Sequence, residues 1–249
     1  MQARTRVINY LDEFLKQHYT LLTHSVEILA AITGLFCYGK YKSTPVKYFI
    51  CFLVYVAIIE LVGSYPGYVA KYGFLKEAKA FLKGTKFERN YWFFTIFWII
   101  GSALFYGLYF REILKSKFFK KILKYLILLF LVFSIGYIAL YWSLFFTGRT
   151  ILIDIFGVII IMLGIIFYLV EILRSDKILR FYKSIDFYIA AILIIWYIIV
   201  TPLSFYSIYF TKADWSFVML KYQIHLLANI CMYLSFAFAL LWCNPKTNQ

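Results

Sequence analysis

Six side chains place ionisable or amide groups inside otherwise apolar runs, and their spacing sets what they can do together. His24 and Glu27 lie three residues apart, His225 and Asn229 four apart, so each pair shares one face of a helix. Glu60 interrupts the run Val56-Ala-Ile-Ile-Glu-Leu-Val-Gly63, and Asp154 opens a run that Glu171 closes; Glu171, Arg174 and Asp176 at that helix end are read as local ion pairs. An imidazole beside a carboxyl can pass a proton, hold a cation or anchor a polar ligand. At membrane depth such groups are costly, which makes each a functional candidate. The competing account is that each reaches the interface or hydrogen-bonds a neighbouring helix; it suits His24 and Asp154, near the ends of their runs.

Known catalytic patterns fit poorly. Histidine and carboxylates are proper zinc ligands, but the chain has 3 His in all. The His-x-x-x-His pair of intramembrane hydrolases is missing, because His225 has Asn229 at that spacing. No Gly-x-Ser-x-Gly elbow marks a serine hydrolase. A retinal protein needs a lysine in mid-span, whereas Lys221 sits at the edge of its run. No glycine-rich phosphate loop is present, which excludes a primary pump. The expectation is therefore no metal, no cofactor and no assigned catalytic residue, with a non-enzymatic role favoured.

The elements that must position these residues are membrane helices. The chain has 249 residues, 63% hydrophobic and only 15% charged, against about a quarter charged in a soluble domain. Its mean hydropathy is +0.78. Seven runs, at about 20–38, 48–64, 91–110, 122–146, 151–171, 187–209 and 217–242, are long enough to cross a hydrocarbon core of roughly 30 Å. Lipid cannot satisfy an open backbone, so each run is read as a helix. The fold class is all-α, a polytopic seven-transmembrane-helix bundle forming one domain over 1–249. No internal repeat is visible, and the tail after Trp242 is read as too short for a signalling domain. The 22% aromatic content is assigned mainly to interfacial belts at Tyr91-Trp92, Tyr141-Trp142 and Trp242. Gly101, Ser102, Ala103 and Gly107, with Gly157 and Gly164, read as close-packing strips, and Pro202 as a bend.

Cation placement sets orientation. The 111–121 loop and its flank hold Arg111, Lys115, Lys117, Lys120, Lys121 and Lys124; the 172–186 loop holds Arg174, Lys177, Arg180 and Lys183. The alternate loops hold only Arg149 and Lys212. The rich loops are thus expected in the cytoplasm, with the N-terminus outside and the C-terminus inside. The connection 65–90 breaks the pattern: expected outside, it carries Lys71, Lys76, Lys79, Lys83, Lys86 and Arg89. Part of it, near 73–83, reads as an amphipathic surface helix with Phe74, Leu75, Ala78, Phe81 and Leu82 on one face, ended by Gly84. A weaker pattern of that kind covers 7–19. The acidic pair Asp12 and Glu13 argues against a secretory signal peptide. The net charge of +14 is explained by connections meeting lipid headgroups, not by nucleic acid. Cys37, Cys51, Cys231 and Cys243 are expected to stay reduced.

With this orientation, His24, Glu27, Glu60, Asp154, His225 and Asn229 all fall in the outer half of the membrane, where neighbouring spans would join them into one polar cavity. Glu60 would be its anchor. Arg111, Lys115, Lys117, Lys120, Arg174, Lys177 and Arg180 would face a cytoplasmic partner.

Several stretches resemble a largely uncharacterised family of bacterial seven-helix proteins often encoded beside sensor histidine kinases. They are Glu60-Leu-Val-Gly63, Asn90-Tyr91, Phe105-Tyr106-Gly107-Leu108-Tyr109, the stretch from Asn229 to Tyr233, and Leu241-Trp242-Cys243. The resemblance implies a sensory or accessory role in the bacterial inner membrane and transfers no catalytic residue. Two functions stay open: a receptor-like module acting through a partner, and an ion- or proton-coupled transporter or channel.

Overall fold

The structure is a computed structural model that describes residues 2–175, 181–206 and 215–244; the side chains of 2–17, 74, 204–206 and 215–217 are set aside. Among these residues the regular secondary structure is all helical, and seven helices are long and apolar enough to cross a membrane. Their bounds are His18–Tyr41, Val46–Lys71, Tyr91–Ile113, Lys117–Leu140, Ile151–Leu173, Ile185–Leu203 and Val218–Trp242. Large apolar side chains stand outside the packing, Phe36 at 85% and Leu140 at 81% exposure. A water-soluble surface does not present whole faces of this kind; they are lipid-facing. The chain is an integral membrane protein.

The helix contacts group into two compact units, Met1–Lys42 with Tyr182–Gln249, and Ser43–Phe181. Among the described residues the first holds three α-helices: α1 (Gln2–Tyr41), α10 (Ile185–Tyr206) and α11 (Trp215–Trp242). α11 packs on both of the others. At one end Tyr19 meets Tyr222 edge to face, with ring centroids 5.6 Å apart. At the other the Tyr41 hydroxyl donates to the carbonyls of Leu240 (3.0 Å) and Cys243 (2.7 Å). α1 and α11 therefore run parallel. Lys40 Nζ donates to the carbonyls of Leu240 (3.1 Å) and Leu241 (2.9 Å), supplying partners that the final turn of a helix lacks. α10 continues past Pro202 to Tyr206.

The second unit contains α2 (Val46–Gly63), α3 (Tyr65–Lys71), α4 (Lys76–Leu82), α5 (Tyr91–Phe93), α6 (Gly101–Ile113), α7 (Lys117–Leu140), α8 (Trp142–Thr147) and α9 (Ile151–Leu173). A π-helical segment, Phe94–Ile100, joins α5 to α6. Such segments leave backbone groups out of step with the helix around them. Here the Tyr55 hydroxyl of α2 donates to the Phe97 carbonyl at 2.7 Å. A Cβ at Gly101 would lie 2.7 Å from that hydroxyl, so glycine at 101 makes room for tyrosine at 55. The small residues of α6 and α9 pack as their spacing predicts. A Cβ on Gly157 would meet Ala103 Cβ at 3.3 Å, and one on Gly164 would meet Phe110 Cβ at 3.1 Å.

Two departures from the sequence reading are local. The run 122–146 does not form one span: α7 stops at Leu140, Tyr141 turns the backbone (φ −111°, ψ 45°), and α8 follows as a separate short helix. The reason is packing. Phe145 and Phe146 are buried, and Phe146 meets Phe87 ring to ring at 5.8 Å, so these apolar residues are covered by protein and need no lipid. The surface helix expected near 73–83 is present as a 3₁₀ turn, Gly73–Leu75, followed by α4. Gly84, at φ +75°, comes just after it, in the left-handed region that only glycine enters freely. No residue of α4 is buried, and Phe81 is 81% exposed.

Candidate functional site

The candidate residues divide between the units. His24, Glu27, His225 and Asn229 belong to the three-helix unit, Glu60 and Asp154 to the other. In α1 His24 Nδ1 lies 3.3 Å from Glu27 Oε2, and the Glu27 side chain is only 2% exposed. The i, i+3 spacing aligns the pair on one face, and burial keeps the carboxyl away from water.

Asn229 of α11 is held by a residue that no sequence motif marks. Trp196 of α10 donates its indole N–H to Asn229 Oδ1 at 2.8 Å. The same indole meets the His225 ring edge to face, with centroids 6.0 Å apart. The signal for Trp196 was its position: it stands eleven residues into its span, about 16 Å at 1.5 Å per residue, far from the interfacial belts. An indole N–H at that depth must find an acceptor inside the protein.

Register brings the two groups to one level. Tyr41 is tied to Cys243, and Glu27 lies fourteen residues before Tyr41 just as Asn229 lies fourteen before Cys243. In parallel helices both are thus roughly 21 Å from that end, well inside a hydrocarbon core of about 30 Å. A carboxyl, an imidazole, an amide and an indole N–H are thereby collected at one depth of three packed helices. That set can bind a polar or cationic group, or relay a proton.

In the other unit Glu60 stands in α2, four residues before the C-cap Ser64, and its backbone carbonyl accepts from the Ser64 N–H at 3.1 Å. Asp154 is engaged locally: its Oδ2 lies 3.0 Å from Arg149 Nη2.

The basic loop 111–121 is tighter than the sequence implies. Only Leu114–Ser116 separate α6 from α7, and Leu114 is buried. Arg111 thus lies in the last turn of α6, while Lys117 and Lys120 lie in the first turn of α7 and Lys115 in the turn between them. Glu171, expected to make a local ion pair, instead accepts the backbone N–H groups of Lys115 and Ser116, each at 2.7 Å. Its negative charge thereby sits at the start of α7, where the helix dipole favours it. Arg174 forms the C-cap of α9. Lys177 and Arg180, with Asp176 and Lys212, lie outside the described residues.

At the end of the three-helix unit, beside Tyr41, the Cys243 thiol is buried. Burial pushes its pKa up to about 11, against a smaller downward pull from the Lys40 ammonium.

No protein family, curated protein or solved structure matches this chain.

Proposed function

We propose that the chain is a receptor-like or accessory membrane module that holds a small polar ligand at the level of Glu27 and passes its occupancy to a partner. The observation that carries this reading is the buried Glu27 carboxyl beside His24, level with the Trp196–Asn229 hydrogen bond and His225. Keeping a carboxyl at that depth is costly, and helix packing alone does not call for one. The basic helix ends at Arg111, Lys115, Lys117, Lys120 and Arg174 supply a docking surface for the partner. A sensor kinase of the bacterial inner membrane is the kind of partner that the sequence resemblance implies.

One observation favours a second reading. The direct His24–Glu27 contact is the arrangement that a proton-coupled transporter uses, with imidazole and carboxyl exchanging a proton. Glu27→Gln separates the two, since it keeps the shape and removes the acid. Native mass spectrometry of the protein in nanodiscs is expected to show a small molecule retained by the wild type and lost from Glu27→Gln, with both forms passive in a liposome proton-flux assay. Proton flux abolished by the substitution would establish transport instead. Equal retention in both forms, without flux, would remove Glu27 from either role.

A further inference from the structure

We infer that the cavity between the 84–89 segment and α8 seats the phosphate of an anionic phospholipid headgroup. The cavity has a volume of about 630 Å³ and is walled by Lys86, Arg89, Trp142 and Phe146 among others. Lys86 Nζ lies 5.7 Å from the centroid of the Trp142 ring and 5.8 Å from that of Phe146, so the rings hold the ammonium beside the cavity without neutralising it. Arg89 spends one N–H on the Thr147 carbonyl, Nη1 to oxygen at 3.2 Å; a guanidinium has five donors in all. The wall also includes one carboxylate, Glu88, whose Oε2 accepts the Gly84 N–H at 2.9 Å. That contact turns Glu88 to the backbone and leaves two cations for a ligand.

Position selects a lipid as the source of the phosphate. The cavity lies just before Tyr91, where one span begins, and just after Leu140, where another ends. That is the depth of headgroups, and Trp142 is a residue of the interfacial belt. Next to it, at the end of the span, Leu140 and Tyr141 are 81% and 52% exposed, a surface on which the acyl chains of the same molecule can lie. The six cations of the 65–90 connection, unexpected for an outer loop, then have a physical use as counter-charge to headgroups.

The test uses the full chain in nanodiscs of phosphatidylcholine containing a minor fraction of phosphatidylglycerol, with bound lipid counted by native mass spectrometry. The wild type is expected to retain one phosphatidylglycerol per chain. Lys86→Gln removes a cation whose contacts are ring faces, and should weaken retention about fivefold, the effect of one charge at a membrane surface. The Lys86→Gln/Arg89→Gln double variant should weaken it further. Lys76→Gln/Lys79→Gln, which removes two charges of the same connection away from the cavity, should leave retention unchanged. Undiminished retention in Lys86→Gln, or equal loss in the Lys76/Lys79 control, would overturn the site in favour of diffuse attraction. Displacement of the lipid by millimolar glycerol phosphate would show a soluble phosphate ester to be the ligand, and would overturn the lipid assignment.

Discussion

Tyr55 and Gly101 act as one device at the residue scale, and the consequence is measurable. Tyr55→Phe removes the hydrogen bond to the Phe97 carbonyl. Its cost should be about 0.6 kcal/mol, the average for such bonds between membrane helices. Gly101→Ala should cost more, because its new methyl would sit 2.7 Å from the Tyr55 hydroxyl. Combined, the two should cost less than their sum, since phenylalanine at 55 takes away the atom in conflict. Thermal unfolding in detergent of the two single variants and the double variant reads this directly; strict additivity would sink the pairing. Cys243 gives a second test. A thiol raised from 9.0 to about 11 by burial holds its proton in the folded chain after the unfolded chain has lost it. The stabilisation it confers is complete below pH 9 and is lost as pH climbs from 9 through 11. The difference in melting temperature between wild type and Cys243→Ala should therefore stay constant up to pH 9 and shrink above it. A difference that grows with pH would contradict the assignment.

Glycine position decides sign at the scale of the elements. Gly164 of α9 faces Phe110 closely, whereas a Cβ at Gly136 of α7 would meet nothing within 4 Å. Gly164→Ala should destabilise by about 1–3 kcal/mol, through forced displacement of a packed ring. Gly136→Ala should stabilise by about 0.5–1 kcal/mol, through helix propensity alone. Melting temperatures that move in the same direction for both would contradict the packing described for α6 and α9. The seven spans were legible because apolar length is all a membrane asks of a helix. The strips at Gly157 and Gly164 were legible because close approach needs small residues. The break at Tyr141 was not, because Phe145 and Phe146 are as apolar as any lipid-facing residue and only the fold shows them covered, Phe146 by Phe87 among others. Trp196 was not legible as a site residue, because its partner Asn229 lies 33 positions away, and periodicity within one helix carries no such information. Glu171 misled for a related reason: basic neighbours in sequence suggested an ion pair, while the fold brought two backbone amides within reach.

Orientation belongs to the whole molecule, and cysteine scanning can decide it. In intact cells a membrane-impermeant maleimide should label Thr85→Cys, on the connection expected outside, and spare Ser116→Cys, in the short turn between α6 and α7. The reverse pattern would invert the topology and put the lipid-binding cavity in the cytoplasmic leaflet, where anionic headgroups concentrate. Either result also tells which side of the membrane the basic helix ends at Arg111 and Lys117 can serve.

The division of the chain has a consequence for how it is made. The middle unit, Ser43–Phe181, is continuous in sequence, but the three-helix unit joins α1 to α10 and α11 across it. At about 5–20 residues per second of synthesis, α1 waits roughly ten to forty seconds before α10 and α11 both exist. During that interval its Lys40 and Tyr41 lack the carbonyls of α11, and Glu27 lacks the helices of its own unit. The ribosome thus delivers the candidate site in two instalments, and a nascent chain halted near residue 181 would contain the middle unit complete and the site only half built.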